Sequence, residues 1–115
     1  MKKDTHPFVL LFDFYGELLT EKQREVFDLY YNEDLSLAEI AEGAGISRQG
    51  VRDNIVRAEK ALTEIEEKTG LVERFVAYGR DAKRLGEIAR AIREHDAALA
   101  PLAQELESIA HRLKE

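Results

Sequence analysis

The chain has 115 residues, 44% hydrophobic and 35% charged, with 17 Lys or Arg against 23 Asp or Glu and no Cys. Such a length suits one domain or a small domain with an appended helical segment, and the missing Cys excludes a disulfide framework, a thiolate metal site and a thiol nucleophile. No apolar run approaches the roughly 20 residues of a membrane span or forms a secretory leader, so a cytoplasmic protein without membrane contact is expected.

No segment alternates apolar and polar residues between turns, and the reading is all-α, with five or six helices. The first helix begins near Pro7, a residue suited to a first helical position, and carries Phe8, Leu11, Phe12, Phe14 and Tyr15 before stopping around Gly16. The second starts after Thr20, with Gln23 placed for a capping box, and runs to about Tyr31. Val26, Phe27, Leu29, Tyr30 and Tyr31 give it a wide apolar face, and Asn32, Glu33 and Asp34 form a polar connection.

The stretch from Asp34 to Leu62 carries the most information. Ser36 caps a short helix with Glu39 three residues on, and Leu37, Ile40 and Ala41 make its apolar face. Gly43, Ala44 and Gly45 let the chain turn where a positive φ is needed. Ile46 plugs the corner and Ser47 caps a second, longer helix. Two helices joined by such a turn are how many proteins present a reading helix to a nucleic-acid groove. The expected architecture is a helix-turn-helix domain over residues 1–70, then a C-terminal helical segment, hairpin or arm, over 71–115.

Val51, Ile55, Ala58, Leu62 and Ile65 form a narrow heptad seam along the long helix, which Thr69 and Gly70 end, with Leu71 folding back beyond. Unrolled at about 100° per residue, the opposite side presents Gln49, Asp53, Val56, Arg57 and Lys60, with Arg52 and Gly50 on the flanks and Arg48 near the core border. For nucleic acid, Ser47, Arg48, Gln49 and Arg52 occupy the turns that reach bases or backbone, and Arg57 and Lys60 follow the phosphates. Gly50, lacking a side chain, would admit a close-approaching partner. Asp53 and Val56 suit a protein contact better, the first because phosphate repels it unless it accepts from a cytosine amine, the second because it is apolar. The arginines could instead pair with neighbouring Glu residues. Charge sharpens the question: residues 1–69 hold 9 Lys or Arg against 15 Asp or Glu, and residues 70–115 hold 8 against 8. Attraction to phosphate must therefore be local.

Downstream, Tyr78, Leu85, Ile88, Ile92, His95, Leu99, Leu102, Leu106, Ile109 and Leu113 keep a heptad rhythm that Pro101 interrupts, which places a break near residues 96–100. A row of Gly79, Ala82, Gly86 and Ala89 beside it either permits close helix approach or merely tolerates small residues. Two long seams on a short chain call for a cover, and a homodimer is expected. His6, His95 and His111 lie far apart without a ligand-spaced carboxylate pair, His95 reads as a partly buried core residue, and G-A-G-I-S lacks the Lys of a phosphate loop. Glu66 and Glu67 read as a solvated face. The expectation is a non-enzyme with no cofactor and no metal.

The run LFDFYGELLTEKQREVFDLYY from Leu11 to Tyr31, followed by DLSLAEIAE and SRQGVRDNIVRAE, resembles the YlxM family of small bacterial proteins over about residues 8–75. Its LLTEKQREV piece is also similar to the fourth region of sigma factors, whose helix-turn-helix reads promoter DNA, a motif of winged-helix-like kind. The resemblance implies an all-helical fold and a regulatory or adaptor role in the signal recognition particle pathway, with the particle's RNA or its GTPase proteins as partners. The alternative is a DNA-binding transcription regulator that reads the major groove with the Ser47 helix.

Overall fold

A computed structural model describes residues 6–114. Among these, the backbone forms helices α1 (Pro7–Tyr15), α2 (Glu21–Tyr31), α3 (Leu37–Ala44), α4 (Arg48–Thr69), α5 (Leu71–His95) and α6 (Ala100–Lys114), with 3-10 turns at Gly16–Leu18 and Ala97–Leu99. No strand occurs among the described residues, so the helix-turn-helix carries no β-wing there. The chain divides into two compact units, Met1–Val72 and Glu73–Glu115.

Helix boundaries in the first unit follow local chemistry. His6 caps α1 by accepting the Phe8 N–H at Nδ1, with Pro7 in the first turn where no N–H is needed. Thr20 and Gln23 form a reciprocal capping box on α2, and Ser36 and Glu39 form another on α3. The backbone N–H and side chain of Ser36 hold the Glu39 carboxyl below the usual range. Asp34 takes a left-handed conformation (φ 57°) in the α2–α3 connection.

The core of this unit collects on α4, which packs against α1, α2 and α3. Val51, Ile55, Ala58 and Leu62 are buried along one stripe and meet Phe27, Val26 and Ile40 from α2 and α3. The Phe12 ring stacks on Phe27 with centroids 4.6 Å apart, and Gly16 lies beneath it. At the far end, the Tyr15 hydroxyl donates to Glu66 Oε1 at 2.6 Å and lies 2.7 Å from Thr69 Oγ1. The same Glu66 oxygen accepts the Val72 N–H at 3.0 Å. Glu66 is therefore a half-buried junction between helices rather than a solvated carboxylate, whereas Glu67 is exposed. Gly70, left-handed at φ 62°, ends α4, but the residue that folds onto the core beyond it is Val72. Leu71 is exposed, and its N–H lies 3.4 Å from Thr69 Oγ1 at the end of α4.

In the second unit, α5 and α6 form a hairpin whose inward row is small. Ala82, Ala89, Ala103 and Ala110 are the buried residues, and a Cβ on Gly86 would stand 3.9 Å from that of Ala110. The heptad row is the exposed one apart from Ile92, which is half-buried, and His95, expected to be partly buried, is exposed with it. Helix approach is set by the smallest facing residues, so alanine and glycine take the contact and leucine is left outside. Arg93 and Glu107, both half-buried, close the hairpin with contacts of 3.1 Å to each carboxylate oxygen. One oxygen accepts a hydrogen bond from the guanidinium, and the other, buried, meets the same nitrogen in an ionic contact. The break falls at Asp96, whose carboxylate caps the 3-10 turn by accepting the Ala98 N–H at 3.0 Å. Pro101 sits in the first turn of α6, where its missing N–H costs nothing.

Gly16→Ala tests the aromatic stack directly. An added Cβ would lie 3.1 Å from the Phe12 ring, and displacing that ring from Phe27 should outweigh the gain in helix propensity by about 1 kcal/mol. The urea midpoint falls at unchanged slope, and an unchanged or raised midpoint would refute the packing argument.

Candidate nucleic-acid interface

α3 and α4 make a two-helix corner. α3 ends as Gly45 turns left-handed (φ 69°), and the N–H groups of Gly45 and Ile46 return to the Ala41 carbonyl at 3.0 and 3.2 Å. Ile46 packs against the core, and Ser47 then starts α4 by accepting the Gly50 N–H at 2.9 Å. Gly50 answers to this cap rather than to a visiting partner. A Cβ there would press on the Ser47 hydroxyl at 3.2 Å, with Ile46 at 3.7 Å behind it.

Because the α4 stripe is narrow, its other positions face water. Between residues 47 and 60, Ser47, Arg48, Gln49, Arg52, Asp53, Val56, Arg57 and Lys60 are exposed, while Gly50, Asn54 and Glu59 are half-buried. Arg48, expected near the core border, is exposed because no neighbouring helix covers the first turn at that angle. None of Arg48, Arg52, Arg57 or Lys60 pairs with a carboxylate among the described residues, so internal pairing with neighbouring Glu residues is not what occupies them. Asp53 is tied to its own helix, accepting from Gln49 Nε2 at 2.9 Å. Arginine and lysine thus dominate this strip, and its N-terminal end adds the positive pole of the helix dipole.

A groove of about 180 Å³ runs beside the strip, lined by Tyr30, Tyr31 and Leu37 from α2 and α3 and by Arg52, Val56 and Glu59 from α4. Tyr31 anchors its floor, its ring tilted against Phe27 with centroids 4.4 Å apart and against His6 at 4.8 Å, and its hydroxyl donates to Glu59. Glu59 is half-buried, with its carboxylate turned to Tyr31 and its side chain lining the groove. Val56, 51% exposed, is the apolar rim of this groove. Tyr30 and Leu37 pack against the core, as their spacing predicts, and each also leaves part of its surface on this groove. A pattern of apolar spacing carries no signal for such a groove.

Among the described residues no group of three or more His, Asp or Glu is placed to hold a metal ion, and no helix is long and apolar enough to cross a membrane. An all-helical unit with this capped corner and exposed second helix is a helix-turn-helix protein. Residues 2–109 match the model of the UPF0122 family, described as "Putative helix-turn-helix protein, YlxM / p13 like". The chain belongs to that family. A UPF0122 protein of Desulforamulus reducens is 46% identical over 99 residues, covering 86% of this chain and 82% of the relative. One from Thermoanaerobacter sp. is 44% identical over 106 residues, covering 92% and 90%. One from Acetivibrio thermocellus is 60% identical over 67 residues, 58% of this chain and 57% of the relative.

Burial, followed by the hydrogen bond and charge of Glu59, raises the Tyr31 hydroxyl well above the ordinary tyrosine value of 10.0. The neutral phenol is favoured by folding, so its stabilisation is complete below pH 10 and is lost as pH climbs from there towards the folded-state value. A 295 nm titration should show an ionisation step beyond the ordinary tyrosine range that Tyr31→Phe abolishes. A step that survives in the variant would show that Tyr31 is not its source.

Proposed function

We propose that this chain is a non-catalytic cytoplasmic regulator or adaptor of the signal recognition particle pathway, acting as a homodimer and binding nucleic acid through α4. Its direct target is the particle's RNA, with the particle's GTPase proteins as neighbours in the same complex. Ser47, Arg48, Gln49 and Arg52 would approach bases or the adjoining backbone, and Arg57 and Lys60 the phosphates beyond. The carrying observation is the strip of unpaired cations on the exposed side of the second helix of a helix-turn-helix. A chain of net charge -6 that leaves these cations free at one helix end has a locally attractive surface for phosphate. Family membership supports the helix-turn-helix part of this reading, and the likeness to YlxM proteins supplies the pathway.

A second reading has its own support in Val56 and the groove behind it. An apolar, half-exposed side chain next to Asp53 and Arg52 suits a protein surface, and a particle protein would then be the direct partner. Major-groove reading by a transcription regulator uses the same strip and differs in the acid bound.

Titration against signal recognition particle RNA and against random-sequence duplex DNA over a salt series separates these. Tighter binding of the RNA at physiological salt is expected, with Arg52→Ala lowering affinity by about 1–3 kcal/mol if it reaches a base, and Lys60→Ala reducing the salt slope by about 1. A steep slope with sequence discrimination on DNA would replace the pathway role with transcription control. Binding of neither acid above a control protein would leave the Val56 groove and a protein partner.

A further inference from the structure

We infer that the exposed face of the α5–α6 hairpin is the surface through which two copies of this chain associate, face to face, as a bundle of four helices. This rests on the homodimer part of the proposed function and is independent of what α4 binds.

The hairpin cannot owe its order to its own interior. Its inward residues Ala82, Ala89, Ala103 and Ala110 are 0–3% exposed but are methyl groups, and burying so little carbon offsets only a small part of the entropy of ordering two long helices. The large side chains lie elsewhere: Leu85, Ile88, Leu102, Leu106, Ile109 and Leu113 are 38–62% exposed. On each helix they stand about a quarter turn from the alanine row, in the same rotational sense. For antiparallel neighbours that places both rows on one side of the hairpin, giving a single apolar face two helices wide. These six residues leave roughly 500 Å² in water, within the range of the largest patch a monomer carries and more than half of the about 800 Å² each partner buries in a standard interface.

Three observations select a second copy as the cover. The face is needed for the hairpin's own order, so its partner must always be present, and another copy of the chain meets that condition. Both rows keep heptad spacing, so the surface offers knobs and holes to its own image across a two-fold axis. Residues 73–115 hold 8 Lys or Arg and 8 Asp or Glu, whereas residues 1–72 hold 9 against 15. Two such hairpins meet without net repulsion, and the neutral half offers no charge bias towards an acidic or basic stranger.

The test uses the intact chain. Light scattering should give two chains per particle, twice 13.1 kDa, and a thermal midpoint that rises with protein concentration. Leu106→Glu should halve the mass while the helix-turn-helix unit keeps its helical signal. Should that variant fail to fold, hydrogen exchange of the unmodified protein on dilution decides, with protection lost first over residues 85–113. A single-chain mass at high concentration overturns both the homodimer and its surface. A two-chain mass unchanged by Leu106→Glu, or dilution-sensitive protection confined to residues 7–69, overturns the surface and leaves the homodimer standing.

Discussion

Everything in the first unit depends on the stripe Val51, Ile55, Ala58 and Leu62 along α4. Three shorter helices, α1, α2 and α3, bury their apolar faces against this one rod, and none of them is long enough to be stable alone in water. Ala58, fully buried among larger neighbours, lets the helices come close at the middle of the stripe. Because four residues at alternating spacings of three and four cover only a narrow sector, with half-buried flanks such as Ile65 and Glu59 beside it, the side opposite is left in water. The exposed strip from Ser47 to Lys60 is the geometric complement of that sector.

The charge distribution follows from the same packing. An acidic chain would repel phosphate if its carboxylates were spread evenly over the reading side. Glu59 and Glu66, both on α4, are instead drawn inward by the hydroxyls of Tyr31 and Tyr15, and Asp53 is held by Gln49. Arg48, Arg52, Arg57 and Lys60 have no comparable partner among the described residues. Two of the α4 carboxylates thus point at buried tyrosines, while these four cations stay on the exposed side.

The hairpin obeys a different rule. Two long helices can approach closely over alanine and glycine or stand apart over leucine, and with both rows available the small one wins the intramolecular contact. The large row then remains as surface, and its apolar area sets a demand that one chain does not meet. Arg93 and Glu107 fix the hairpin's register without adding a core.

Local chemistry was legible in the residues. Thr20 with Gln23, Ser36 with Glu39, Ser47, and the glycines at 45 and 70 mark helix ends because capping involves atoms three or four positions apart and needs no distant partner. The α4 seam and its outward complement were legible for a related reason: one face of a regular helix determines the other. What depended on distant partners was not. Glu66 looked solvated until Tyr15 and Val72 reached it, Gly50 looked open until the Ser47 cap filled the space above it, and Leu71 lost the inward position to Val72. The choice between the leucine row and the alanine row, and the groove among Tyr30, Leu37 and Val56, were decided by tertiary structure alone, since periodicity states which residues share a face but not which face another helix will occupy.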